Sequence, residues 1–363
     1  MEDRFKIKRK REFKLSKKIL KTLNFIIFIL IYIIILFSFS QKGVYLNQGI
    51  DVLPLSFKIG KIDNTLFYST SKSIYLLNED NFIPISYFIR NFKVDEDKIY
   101  VLSDNLIILN KEFKIIKEIK KEGFYPYDLY FFKDKFAVKY MKKDSLSIYF
   151  SLFDKKSYKE IRNIKFENLT SMPFSTVFSN GEKILIFQND GDLLIVNFNG
   201  EIILQKNIRP KNEILFNPKG LIDNERENIV LYWQNYSYLT NSVLFLKYDG
   251  DIKIKFDIKS NIDEIIKINN KYYILLNNEI IEIENEKIIK KISIPFFKPV
   301  AIFNINNKFV SIWEVKLFNS EYKILKIEGK NFIFRGKFKD IFFDDDKFLV
   351  LIDSKIYILK YYE

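Results

Sequence analysis

The 363 residues include no cysteine and no histidine. Without cysteine the chain can form no disulfide, hold no metal through thiolate, offer no thiol nucleophile and carry no lipid on sulfur. Secreted and intracellular proteins alike can lack disulfides, so this absence does not assign a compartment. Without histidine the chain lacks the most frequent general base and the commonest transition-metal ligand, and a Ser-His-Asp triad is impossible. Any catalysis would rest on Asp, Glu, Tyr, Lys, Arg or a bound ion. Glycine and proline are scarce, at 11 and 8, and no glycine-rich phosphate-binding loop occurs. Charge is missing altogether between Lys21 and Lys42.

What is present is hydrophobic and aromatic. The chain is 48% hydrophobic, with 37 Phe and 22 Tyr, ample for a large core. Ile, Lys, Asn and Phe are residues that AT-rich codons favour, so no single Lys or Asn carries much weight. The net charge of +13 resembles that of a nucleic-acid binder, but its distribution argues otherwise. Residues 1–42 hold eleven basic and three acidic side chains, whereas residues 43–363 hold 48 and 43. The basicity belongs mainly to the N-terminal tail, and no nucleic-acid partner is expected.

Ten of residues 1–21 are Lys or Arg, and the uncharged run TLNFIIFILIYIIILFSFSQ follows at 22–41. Twenty residues of helix span ~30 Å, the thickness of a bilayer's hydrocarbon core. Its β-branched isoleucines form helix poorly in water, but lipid obliges the backbone to satisfy itself internally. The sequence thus predicts one transmembrane helix over 22–41, spanning through Phe25, Ile29, Ile33 and Phe37. The basic flank, residues 1–21, is a cytoplasmic tail by the positive-inside rule and can touch anionic lipid headgroups. The body, 43–363, is then extracytoplasmic, on a single-pass protein of the cell membrane. The apolar run exceeds a typical signal-peptide core and reads as an uncleaved signal anchor; the small residues of Ser38-Phe39-Ser40 leave cleavage after Ser40 as the alternative.

From about residue 55 the chain repeats one pattern: short strand-like runs of Ile, Phe, Tyr and Val, parted by turns of Asn, Asp, Gly, Lys and Ser. Three-strand units recur eight times, from DNTLFYST-SKSIYLLN-EDNFIPIS to DDKFLVLIDSKIYILKYY. Their central turns fall near 71, 104, 143, 190, 239, 278, 318 and 353, a spacing of about 40 residues, the period of a four-stranded propeller blade. Shorter runs ahead of each unit, such as Ser175–Phe178, Ile265–Ile268 and Ala301–Ile305, supply inner strands. The last unit stops short of its outer strand, and Gly43–Leu53 supplies a piece able to complete it and close the ring. The fold class read from this is all-β: a β-propeller of eight four-stranded blades, with seven as the alternative, preceded by the transmembrane helix.

The turns Asn197-Phe198-Asn199-Gly200-Glu201-Ile202 and Lys247-Tyr248-Asp249-Gly250-Asp251-Ile252 resemble the third-to-fourth-strand hairpins of the bacterial β-propeller superfamily, grouped as WD40-like, NHL, YVTN and quinone-type repeats. The resemblance covers the body as architecture. The Gly-His and Trp-Asp signatures of WD40 repeats and the recurring Trp of quinone-type blades are absent, so it implies no particular function.

Candidate sites are few. Asp344-Asp345-Asp346 is the densest carboxylate cluster, but consecutive strand-edge residues point in alternating directions and a cation needs converging oxygens; it reads as a solvated turn. Asn189-Asp190-Gly191-Asp192 resembles part of a calcium loop but has Gly200 where the twelfth-position Glu belongs. No metal and no cofactor are expected. Trp233 and Trp313 occupy equivalent places in their repeats, suited to packing between blades. Tyr232, Trp233, Tyr236 and Tyr238 also form an aromatic-rich loop at 232–240, the longest insertion among the repeats, and Phe124-Tyr125-Pro126-Tyr127 is a second aromatic cluster. Exposed aromatics anchor partners well, so Tyr125, Tyr127, Trp233, Tyr236 and Tyr238 are the candidate partner-binding residues. The function expected is a membrane-anchored scaffold that binds a protein or peptide in the cell envelope. The alternative is an extracytoplasmic enzyme acting on carbohydrate or another small substrate through carboxylate or Tyr chemistry.

Overall fold

The computed structural model describes residues 50–360 except 78–81, 86–87, 145–147, 166–175, 180–182, 188–190, 198, 200, 210–214, 224, 236–239, 318–319, 328–329 and 345–346. The segment 22–41 lies outside these residues. Among the described residues no helix is long and apolar enough to cross a membrane.

The strands form eight four-stranded antiparallel sheets, each built of consecutive strands except the last. These are the blades of a β-propeller: blade 1 (58–84), blade 2 (91–119), blade 3 (124–165), blade 4 (176–207), blade 5 (215–258), blade 6 (262–292), blade 7 (298–335) and blade 8 (338–360). Blade 8 takes its fourth strand from the front of the chain, where Ile50–Asp51 pairs antiparallel with Lys355–Lys360 in the register Ile50↔Ile356. The number of blades is eight, and the closing strand is the one expected from Gly43–Leu53.

First strands of successive blades touch one another around the ring, so they are the inner ones. Hydrophobicity falls from the middle of each blade outward. Second and third strands are covered on both faces by neighbouring blades, which is why they read as unbroken apolar runs: KIYVL at Lys98–Leu102 and LIILN at Leu106–Asn110 are almost wholly buried. Outer strands such as Lys287–Ile292 are almost wholly exposed. The core is accordingly not one mass but eight clusters, each between two adjacent blades. The one joining blades 8 and 1 is built from Val52, Ile59, Tyr68, Leu349, Leu351 and Ile356. Burying it removes ~25 cal/mol per Å² of apolar surface from water, so the seam closes by hydrophobic packing as well as by strand pairing. In the cluster between blades 1 and 2, Gly60 makes room for aromatic rings: a Cβ there would lie 2.5 Å from the Phe67 ring, which packs on Phe92 with centroids 5.1 Å apart.

The stretch at 232–240 is not a loop throughout. The second strand of blade 5 runs from Asn228 to Asn235, and the two-residue period of a strand sends neighbouring side chains to opposite faces. Tyr232 enters the cluster between blades 5 and 6, and Trp233 the cluster between blades 4 and 5. Trp313 packs likewise between blades 6 and 7.

Candidate partner-binding face

Inner strands begin at the end of the ring where blades are linked to each other. Their first residues, the blade-to-blade connections and the second-to-third-strand turns therefore share one face around the channel mouth. Blade 3 shows how the backbone shapes it. Its inner strand, Phe124–Phe131, pairs Pro126 with Tyr140 and Asp128 with Lys139, and the register slips between them. Tyr127 is the extra residue. A bulge leaves such a residue out of the ladder and re-aims it, and Tyr127 stands 49% exposed with the Lys139 ammonium 5.3 Å from its ring centroid. The same slip recurs on the inner strands of blades 5, 6, 7 and 8.

The inner strands carry charged side chains of both signs. Asp128 accepts hydrogen bonds from the Leu129 backbone N–H and the Tyr130 hydroxyl, each 2.8 Å, and pairs with Lys93 at 2.9 Å. Lys93 also donates to the Leu129 carbonyl of the next blade at 2.6 Å. Lys58 donates to the Asn91 side chain and the Phe92 carbonyl, both 2.7 Å. Lys219 reaches the Asp263 carbonyl at 2.7 Å, and Lys339 reaches the carbonyls of Pro54 and Ser56 at 2.8 and 2.9 Å. Each lysine ties its inner strand to the following blade. At the seam Asp340 accepts the Ile59 N–H at 2.9 Å, and Lys61 pairs with Asp344.

Burial dominates the electrostatics of these groups. It lowers the pKa of Lys58, against the pull of Asp340. It lowers Lys139 to about 8, with Asp128 opposing. It raises Asp340, against the Ile59 N–H and Lys58, and raises Glu264, against Lys219. The two raised carboxyls lie on the inner strands of blades 8 and 6, which are not adjacent, and Asp128 is held by three donors. The two raised carboxyls therefore do not pair with each other. Among the described residues no three Asp or Glu side chains group as a cation site requires.

Around this mouth stand exposed apolar side chains: Leu53 and Leu55 between blades 8 and 1, Phe88 between blades 1 and 2, Tyr127, and Phe296 between blades 6 and 7. Of the residues singled out in the sequence, the structure brings Tyr125 and Tyr127 to this face. Tyr125 stacks under Arg90, its ring centroid 4.5 Å from the guanidinium carbon, and Arg90 is held by Asp104 at 2.8 Å. Trp233 is not an exposed anchor: at 1% exposure it is core, edge-on to Phe187 with centroids 6.0 Å apart. Tyr236 and Tyr238 lie outside the described residues, as do Asp345 and Asp346. Leu53, Leu55, Phe88, Phe296 and the inner-strand lysines escaped the sequence reading. The legible trace was the break in alternation at FYPYD, where a polar residue arrives one position late.

No protein-family model matches the sequence, and neither does any curated protein. Solved structures do. The structure is similar to the Dos1 propeller, with TM-score 0.61, 10% identity and coverage of 87% of this chain and 95% of that one. It is similar to BamB from Moraxella catarrhalis, with TM-score 0.60, 9% identity and coverage of 87% and 99%. It is similar to BBS1N in complex with ARL6DN, with TM-score 0.51, 10% identity and coverage of 88% and 95%. At these identities the likeness is one of fold. The chain folds as an eight-bladed β-propeller, the architecture its hairpins resemble.

Proposed function

We propose that this protein is a scaffold of the cell envelope: residues 22–41 anchor it in the cell membrane, residues 1–21 stay in the cytoplasm, and the propeller binds a protein or peptide on the other side. The observation that carries the reading is the channel-mouth face. It combines scattered exposed apolar side chains, Leu53, Leu55, Phe88, Tyr127 and Phe296, with charges already satisfied by neighbouring blades. Such a surface offers anchors for a partner. That BBS1N was solved in complex with ARL6DN supports a partner-binding role for this architecture; fold alone does not specify function. The +8 tail adds contact with anionic headgroups, about 1 kcal/mol per cation near the surface.

A photo-crosslinking amino acid at Tyr127 in the full-length chain, in native membranes, tests the binding face. A discrete adduct with one protein, absent when the probe replaces Lys156 on the opposite face, is the expected result. Equal labelling from both positions, or none from Leu55, Tyr127 and Phe296, overturns the reading. The anchor is tested by the mass of the mature N-terminus, which at Gln41 would show cleavage.

A further inference from the structure

The outer strands of blades 2 to 6 share a defect at one register. In blade 2, Ile108 faces Lys117 but Leu109 faces Ile115, so Ile116 drops out of the ladder. The same slip leaves out Ile161 in blade 3, Ile203 in blade 4, Lys253 in blade 5 and Ile289 in blade 6. Beside four of these bulges stands a second isoleucine: Ile115, Ile202, Ile252 or Ile288. All eight isoleucines are between 42 and 59% exposed. A bulge on an edge strand ordinarily blunts the edge against unwanted pairing, helped by lysine. Isoleucine at the bulge, or beside it in blade 5, works against that purpose, because it sets apolar surface outward five blades in succession.

Charge is sorted in the same place. The outer strands of the eight blades carry eleven basic and four acidic residues, although residues 43–363 as a whole hold 48 and 43. The body without these strands is therefore slightly acidic, and the rim alone is cationic. We infer that the rim of blades 2 to 6 is a second docking surface, separate from the channel mouth, and that its occupant is an extended polypeptide segment carrying acidic and apolar side chains. The rim's charge complements such a segment and repels a second cationic rim of this chain. Five consecutive blades of eight cover more than half the circumference, a curved track that a chain can follow and a flat lipid surface can touch only in part.

The probe is a fluorescent sixteen-residue peptide of alternating Glu and Val, added to the full-length protein in neutral detergent, with a Lys/Val peptide as control. Anisotropy is expected to show saturable binding of the Glu/Val peptide only, weakened by salt because the attraction is screened. The triple variant Ile116→Ser, Ile203→Ser, Ile289→Ser should weaken it at least tenfold; these side chains are exposed, and an unchanged melting temperature verifies folding. Undiminished binding by the triple variant, equal binding of the Lys/Val peptide, or no binding at all refutes the inference. Binding of phosphatidylglycerol vesicles that the same substitutions abolish would reassign the rim to lipid. Because the readout does not involve Tyr127, its failure leaves the channel-mouth reading standing.

Discussion

Lys139 gives the electrostatics of the channel mouth a quantitative test. Its side chain is 4% exposed, and burial lowers its pKa from 10.5 to about 8. Each pKa unit corresponds to ~1.4 kcal/mol, so keeping this amine charged in the fold costs on the order of 3 kcal/mol. The folded pKa lies below the unfolded one. Between about pH 8 and ~10.4 the unfolded chain therefore binds more protons, and stability rises with pH across that window. Lys139→Met retains a long unbranched side chain and removes the titration. At pH 7 the variant should be more stable than the parent by about 1–3 kcal/mol, with the lost contact between the ammonium and the Tyr127 ring accounting for the shortfall. The difference should close as pH rises through the window. Urea unfolding, followed by the fluorescence of the buried Trp233 and Trp313 at steps from pH 7 to 10.5, measures it. Other groups titrate in both proteins and cancel in the difference. A difference that stays constant with pH, or a parent more stable than the variant at pH 7, would refute the assignment of Lys139 as a desolvated cation.

Three further outcomes follow from the packing. Trp233→Ala should cost ~3–5 kcal/mol and, at about 2 °C per kcal/mol for a chain of this size, lower the melting temperature by about 6–10 °C; a shift under ~2 °C would return Trp233 to the surface. Asp223, whose side chain is fully buried, accepts from the Tyr272 hydroxyl and pairs with Lys267 across blades 5 and 6. Asp223→Ala should cost ~1–3 kcal/mol in chemical denaturation by taking the acceptor from the buried Tyr272 hydroxyl while Lys267 keeps its pair with Glu225, with Asp223→Asn milder; equal effects would mean that charge and hydrogen bonding play no part. Gly60→Ala drives a methyl into the Phe67 ring and should cost ~1–3 kcal/mol; a neutral result in thermal denaturation would show the first blade interface to be loosely packed.

The binding face was only partly readable in advance, and the reasons differ by residue. Tyr125 and Tyr127 stood out because aromatics cluster there, yet Tyr127 is exposed on account of a register slip that no count of aromatics reveals. Trp233 belonged to an equally aromatic stretch, but strand period and a neighbouring blade on each side put it in the core. Leu53, Leu55, Phe88 and Phe296 are isolated apolar residues in connections, indistinguishable in sequence from the isoleucines and phenylalanines everywhere around them. The inner-strand lysines were discounted with all other lysines; their meaning comes from the adjacent blade whose carbonyls they reach.

The sequence by itself determined the local periodicities. It set where the strands and turns fall, the eightfold recurrence near 40 residues, the closing strand from the front of the chain, and the concentration of charge ahead of an apolar run. These are readable because hydrogen-bonded ladders and alternating burial act over a few neighbouring residues. Only the tertiary structure decided which apolar side chains are core and which face solvent. In a propeller each blade is buried by other blades, so exposure depends on residues about 40 positions away. The tertiary structure also decided the bulges that turn Tyr127 into the channel mouth and the isoleucines out of the rim, because a bulge is a slip between two strands and belongs to neither alone.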